Sequence, residues 1–97
     1  MATRILEYAD KPLDDFPVVP ARYKVTEQTA MTATGTSAQS SAFNARTRYV
    51  CVQSDEQIYT ACGSNPTATA NSYRIPAGGE QWFEIDPNES WKVAIRT

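Results

Sequence analysis

Arg46-Thr-Arg-Tyr-Val-Cys-Val-Gln53, Ile58-Tyr-Thr-Ala-Cys62, Ser72-Tyr-Arg-Ile75, Gln81-Trp-Phe-Glu-Ile85 and Trp91-Lys-Val-Ala-Ile-Arg96 are the runs that decide the fold of this chain. Each is rich in β-branched or aromatic residues. Most alternate apolar with polar side chains, the period of a strand with one face buried. Between them stand Ser54-Asp55-Glu56, Gly63-Ser64-Asn65-Pro66, Pro76-Ala77-Gly78-Gly79 and Asp86-Pro87-Asn88-Glu89. These residue types bend the backbone, through proline's fixed φ, glycine's freedom and the side-chain bonds of Asn, Asp and Ser. Short strands at this spacing make a compact, antiparallel, all-β domain.

Within that frame, Val50 and Val52 share one face of the run Thr47–Gln53, and Tyr49 and Cys51 share the other. Both faces are partly apolar, so this strand is expected to be covered on both sides. The turn at Asp55-Glu56 predicts a hairpin with Ile58–Cys62, with Cys51 and Cys62 as diagonal neighbours on one sheet face. Diagonal neighbours sit too far apart for a bridge, so two free thiols are expected, with a disulfide open to a shift of register. The expected core is Val50, Val52, Tyr59, Ile75, Trp91, Val93 and Ile95, joined by whichever of the adjacent Trp82 and Phe83 points inward. Upstream, Ala21–Glu27 alternates as a half-buried strand, Thr29–Thr34 extends it, and Gly35–Ser40 reads as a loop of small polar residues. The predicted architecture is an antiparallel β-sandwich or small barrel, jelly-roll or immunoglobulin-like, with six to eight strands over residues 21–97.

Residues 1–20 read differently. Pro12, Pro17 and Pro20 remove backbone donors and favour extended geometry. Arg4–Tyr8 fits one short strand, and the segment as a whole reads as an extended N-terminal arm lying over the sandwich or over a neighbour. Ile5, Leu6, Tyr8, Leu13 and Phe16 are apolar enough to need a surface, either a neighbouring chain or the sandwich itself. They are the candidate partner-binding residues, together with Arg46 and Arg48, which strand periodicity places on one face. A solvated or salt-bridged face is the plainer reading of the two arginines.

Chemistry is constrained by what the chain lacks. It has no histidine, which removes the commonest general base and metal ligand and every Ser-His or Cys-His nucleophile. Two cysteines without a CxxC spacing make no standard zinc site, and no phosphate-binding glycine loop is present. The carboxylates Asp55, Glu56, Glu80, Glu84, Asp86 and Glu89 fall in or near turns, where solvation is the ordinary outcome. Asp86, Asn88 and Glu89 carry oxygen ligands, but the loop is short for a dedicated calcium site. No enzyme activity, cofactor or metal is expected. Nine Lys and Arg are scattered among eleven Asp and Glu, net charge -2, so no basic stripe for nucleic acid appears. No apolar run approaches the ~20 residues that cross a bilayer, and Met1–Tyr8 lacks the apolar region of a signal peptide. Synthesis in a reducing cytoplasm is expected.

Three phrases carry a resemblance: Arg48-Tyr-Val-Cys-Val-Gln-Ser-Asp55, Gly63-Ser-Asn-Pro-Thr-Ala68 and Ile75-Pro-Ala-Gly78. The segment from Arg48 to Trp91 is similar to small proteins encoded among the structural genes of tailed bacteriophages and prophages. Those share R-x-V-x-V-x-S-D, a short strand, G-S-N-P-x-A, and a strand ending L/I-P-A-G. The resemblance implies a non-enzymatic virion protein, made in the host cytoplasm, with capsid decoration (cement) as the leading role. The implied partners are the major capsid protein or other virion proteins, with self-association as a trimer or dimer. Alternatives are a head-fibre, tail or connector component, or a carbohydrate-binding module used in host adsorption, with whichever of Trp82 and Phe83 points outward as the sugar platform.

Overall fold

A computed structural model describes residues 2–9 and 24–97. Eight strands run in chain order: β1 (Thr3–Tyr8), β2 (Lys24–Glu27), β3 (Ala38–Gln39), β4 (Tyr49–Ser54), β5 (Ile58–Gly63), β6 (Tyr73–Ile75), β7 (Glu80–Glu84) and β8 (Lys92–Arg96). They form two four-stranded antiparallel sheets, β2-β1-β4-β7 and β3-β8-β5-β6, packed face to face as a β-sandwich. Leu13 and Phe16 lie outside the described residues.

Alternation explains which side chains meet. Ile5, Val50 and Val52 from the first sheet face Ile58, Ile75, Val93 and Ile95 from the second, all at most 1 % exposed. Phe43, Ala33 and Ile85 complete this cluster, and Met31, Cys62, Phe83 and Trp91 pack against its rim. The expected core therefore changes in two places. Ile58 rather than Tyr59 points inward, because the strand enters the second sheet one residue out of phase with the reading above. Trp91 is half-buried at the rim rather than central. Of the adjacent pair, Phe83 turns toward the core and Trp82 outward.

The first correction concerns the N-terminus. Residues 3–8 are not part of an arm; they form an inner strand, paired with β4 from Thr3↔Ser54 to Tyr8↔Tyr49 and with β2 on the other side. Beyond β2, Met31 bridges back to Thr3 through reciprocal backbone bonds of 2.7 and 2.9 Å. β1 can be internal because all its residues can donate to a ladder; the prolines begin only at Pro12.

The second correction concerns connectivity. β4 and β5 do not form a hairpin. Ser54–Gln57 carries the chain from one sheet to the other, and Pro76–Gly79 does the same between β6 and β7. In the latter turn the Gly79 N–H bonds the Pro76 carbonyl at 2.9 Å, and Gly78 has φ +75°, the position a type II turn reserves for glycine. A Cβ on Gly79 would meet Pro76 atoms at 3.0 Å, so both glycines are required by shape. The two crossovers are tied together: the Ser54 N–H donates to the Gly79 carbonyl (3.2 Å) and the Gly78 N–H to the Ser54 carbonyl (2.8 Å).

Candidate binding surfaces

The phrases that carry the resemblance turn out to be joints. Besides its ties to Gly78 and Gly79, the Ser54 hydroxyl donates to the Glu56 carbonyl at 2.6 Å and caps the Glu56 N–H. The Gly63–Pro66 turn is held from β3, where Gln39 Nε2 donates to Asn65 Oδ1 (2.8 Å) and to the Pro66 carbonyl (2.9 Å). Ala68, 2 % exposed, is pinned by its N–H to Ser37 Oγ (2.9 Å). Each phrase thus specifies a turn and the place where that turn is fastened.

The expected partner-binding residues are dispersed. Ile5 is in the core at 0 % exposure and Tyr8 is 2 % exposed. Leu6 is half-buried on the outer face of the first sheet. Arg46 lies in a turn, its N–H bonded to Asn44 Oδ1, while Arg48 extends β4 by backbone bonds to Tyr8 and Ile85. The two arginines are exposed but do not share a strand face, because the strand begins only at Tyr49.

Outward from the first sheet, Trp82 leans on Tyr8 with ring centroids 4.9 Å apart. Its indole N–H reaches Glu80 Oε2 at 3.3 Å, and the Tyr49 hydroxyl donates to Glu84 Oε2 at 3.2 Å. Burial, and after it the neighbouring Cys51, Glu27 and Glu80, raises the Tyr8 phenol above its ordinary value. At the far end of β1, Arg4 meets Asp55 at 3.2 Å and holds its carboxyl below the ordinary range. Between the edges of the two sheets an open polar cleft of about 500 Å³ is lined by Glu27–Met31 and Gln39–Ser41. The Gln28 amide crosses its floor, donating to the Ser41 carbonyl (3.0 Å) and accepting from the Ser41 N–H (3.1 Å). Among the described residues no three His, Cys, Asp or Glu side chains group to hold a metal ion, and no helix is long and apolar enough to cross a membrane.

The cysteines are free and sit in different sheets, Cys51 in β4 and Cys62 in β5, so the diagonal pair expected on one face does not exist. Burial, then the Glu80 carboxylate that accepts the thiol's bond, pushes Cys51 up to about 12; burial pushes Cys62 up to about 11. Both thiols are therefore protonated at neutral pH. Native protein at pH 8 is expected to react with iodoacetamide far more slowly than a small thiol, and both cysteines to alkylate after denaturation without reductant. Protonated thiols favour the folded state below their ordinary value of 9.0; that contribution fades as pH climbs to about 11–12. Rapid native labelling at pH 8, or a mass lacking two alkyl groups after denaturation, contradicts this.

No family model, curated protein or solved structure matches the chain.

Proposed function

We propose that this chain is a structural protein of a tailed-phage virion, a decoration protein that stabilises the head shell through contact with the major capsid protein. The observation that supports it is the nature of the shared phrases. Ser54-Asp55, Gly63–Ala68 and Ile75–Gly78 are spent on fastening two crossovers and a turn to the rest of the sandwich. A pattern whose residues hold a scaffold rigid suits a protein that works by presenting a preformed surface. Binding to a shell rewards such rigidity, since little ordering entropy is left to lose on docking.

The test is physical association with particles. Virions from a culture that produces this protein, purified on a density gradient, are probed with an antibody to the chain. Co-migration with full heads at a fixed ratio per shell is expected, together with earlier rupture on heating of particles that lack the gene. A protein found only in the unassembled fraction sinks the proposal.

A further inference from the structure

The acidic side chains of the strands are confined to one sheet. The strands of the first sheet contain Glu7, Glu27, Glu80 and Glu84 beside the bases Arg4 and Lys24. The strands of the second contain Arg74, Lys92 and Arg96 and no acidic residue. The basic residues fall on the outer face. Ile58 is fully buried, so its neighbour Tyr59 points out, and the register sets Tyr59 opposite Arg74 on one side and opposite Arg96 on the other. Further along the strands Ala61 lies opposite Ala94, which is fully buried, and Gln39, opposite Ala94 on its other side, holds the Gly63–Pro66 turn there, so the open part of this face is the row itself. An aromatic ring flanked by two arginines has the make-up of an interface centre.

The same chain carries the complementary pattern. On β7, Glu80, Trp82 and Glu84 stand at alternate positions and point to one side. Glu80 and Glu84 are exposed, and among the described residues they accept from neutral donors: the Trp82 indole, Gln53 and Cys51 on Glu80, and the Tyr49 hydroxyl on Glu84. Among the described residues the ion pair formed is Arg4–Asp55, so Glu80, Glu84, Arg74 and Arg96 form no ion pair with one another or with another described residue.

The spacings agree. Four residues along a strand place the two carboxylates ~13–14 Å apart, while Arg74 and Arg96, two strand spacings apart, have backbones ~10 Å apart, a difference that two guanidinium side chains span. Trp82 sits midway between the acids as Tyr59 sits midway between the arginines.

We propose that a second copy of this chain docks here, β7 of one copy crossing the outer face of β6-β5-β8 of the next. Glu80 and Glu84 then meet Arg74 and Arg96, and Trp82 lies over Tyr59. The contact is heterologous, using two different patches, so it builds a ring if the rotation closes and a stack if it does not. A symmetric pairing of β7 with β7 is disfavoured, because it sets Glu80 opposite Glu84 of the other copy. This contact stands on the surface of the chain alone and holds or fails independently of the virion proposal.

Sedimentation velocity of the full-length protein tests it. At about 50 mM salt the protein associates with rising concentration, and at about 500 mM the association weakens by about tenfold or more, because these charges are solvent-facing and screened. Arg74→Glu with Arg96→Glu, and separately Glu80→Arg with Glu84→Arg, each give a monomer with an unchanged circular dichroism spectrum. An equimolar mixture of the two reversed variants associates again, since the acidic β7 of the first meets the native Arg74 and Arg96 of the second, and the arginine-bearing β7 of the second meets the glutamates that replace Arg74 and Arg96 in the first. A misfolded variant cannot produce that recovery. A wild-type protein that stays monomeric throughout overturns the proposal. So does association that survives either reversal, or a mixture that fails to recover.

Discussion

Replacing Ile5 with alanine is expected to cost about 3–4 kcal/mol, and a chain that begins at Ala21 is expected not to fold. Ile5 has no exposed surface and sits in an inner strand, packed with Val50 and Val52 against the second sheet. Truncating such a side chain loses its transfer free energy and leaves a cavity that the clamped sheets cannot close. Against a total stability of ~5–10 kcal/mol for a domain of this size, that is a large share. Deleting β1 altogether strips β2 of the strand it pairs with and exposes one whole edge of β4, from Thr3↔Ser54 to Tyr8↔Tyr49. Urea titration followed by tryptophan fluorescence measures the first, and the absence of a cooperative thermal transition the second. An Ile5→Ala variant within about 1 kcal/mol of the parent, or a cooperatively melting truncation, shows that β1 is dispensable.

The sequence marks Arg4–Tyr8 as a short strand but not as an inner one, and that has a physical reason. Pro12, Pro17 and Pro20 coloured the reading of the whole leading segment, though their effect on backbone donors stops at their own positions. Within Thr3–Tyr8 the inward positions are Thr3, Ile5 and Glu7, so only one of three is apolar and the usual alternation is hidden. The strands from Tyr49 onward were legible because their inward residues are Val, Ile and Phe. Their partners were not legible. A four-residue Ser-Asp-Glu-Gln link serves a hairpin and a crossover equally well, and the choice is made by long-range ladders. β4 takes β1 and β7 as neighbours, which covers both of its edges, while the second sheet covers its inner face. The Cys51–Cys62 relation went wrong for the same reason, since it was built on the hairpin. For the candidate surfaces, Arg46 and Arg48 were visible as neighbours in sequence. The row Arg74–Tyr59–Arg96 is assembled from three strands, and no local pattern announces it.

Glu7 is where the local pattern fails most and where a substitution is most informative. Its carboxylate points inward at 1 % exposure, with no cation beside it among the described residues. Three donors hold it instead. The Asn44 N–H and the Thr47 hydroxyl both reach Oε1 at 2.7 Å, and Gln28 Nε2 reaches Oε2 at 3.0 Å. These donors come from 21 to 40 residues away, so nothing near position 7 in the sequence signals that an acid can be buried there. Glu7→Ala removes the acceptor from all three and opens a cavity. Since each stranded buried donor costs on the order of 1–3 kcal/mol, a loss of about 3 kcal/mol or more is expected. Glu7→Gln is the sharper experiment. One amide oxygen still accepts from Asn44 and Thr47, but the amide NH2 then faces the NH2 of Gln28, donor against donor. Gln28 cannot relieve this by turning its own amide over, because that reverses its two bonds to Ser41. Glu7→Gln is therefore expected to cost about 1–2 kcal/mol despite its near-identical shape, and most of that cost should vanish in the Gln28→Ala background, where the opposing donor is gone. Urea unfolding of the four proteins in that cycle gives the coupling directly. If Glu7→Gln is as stable as the parent, or costs the same with and without Gln28, then the carboxylate is not what ties β1 to the Asn44–Thr47 turn and the rim of the polar cleft.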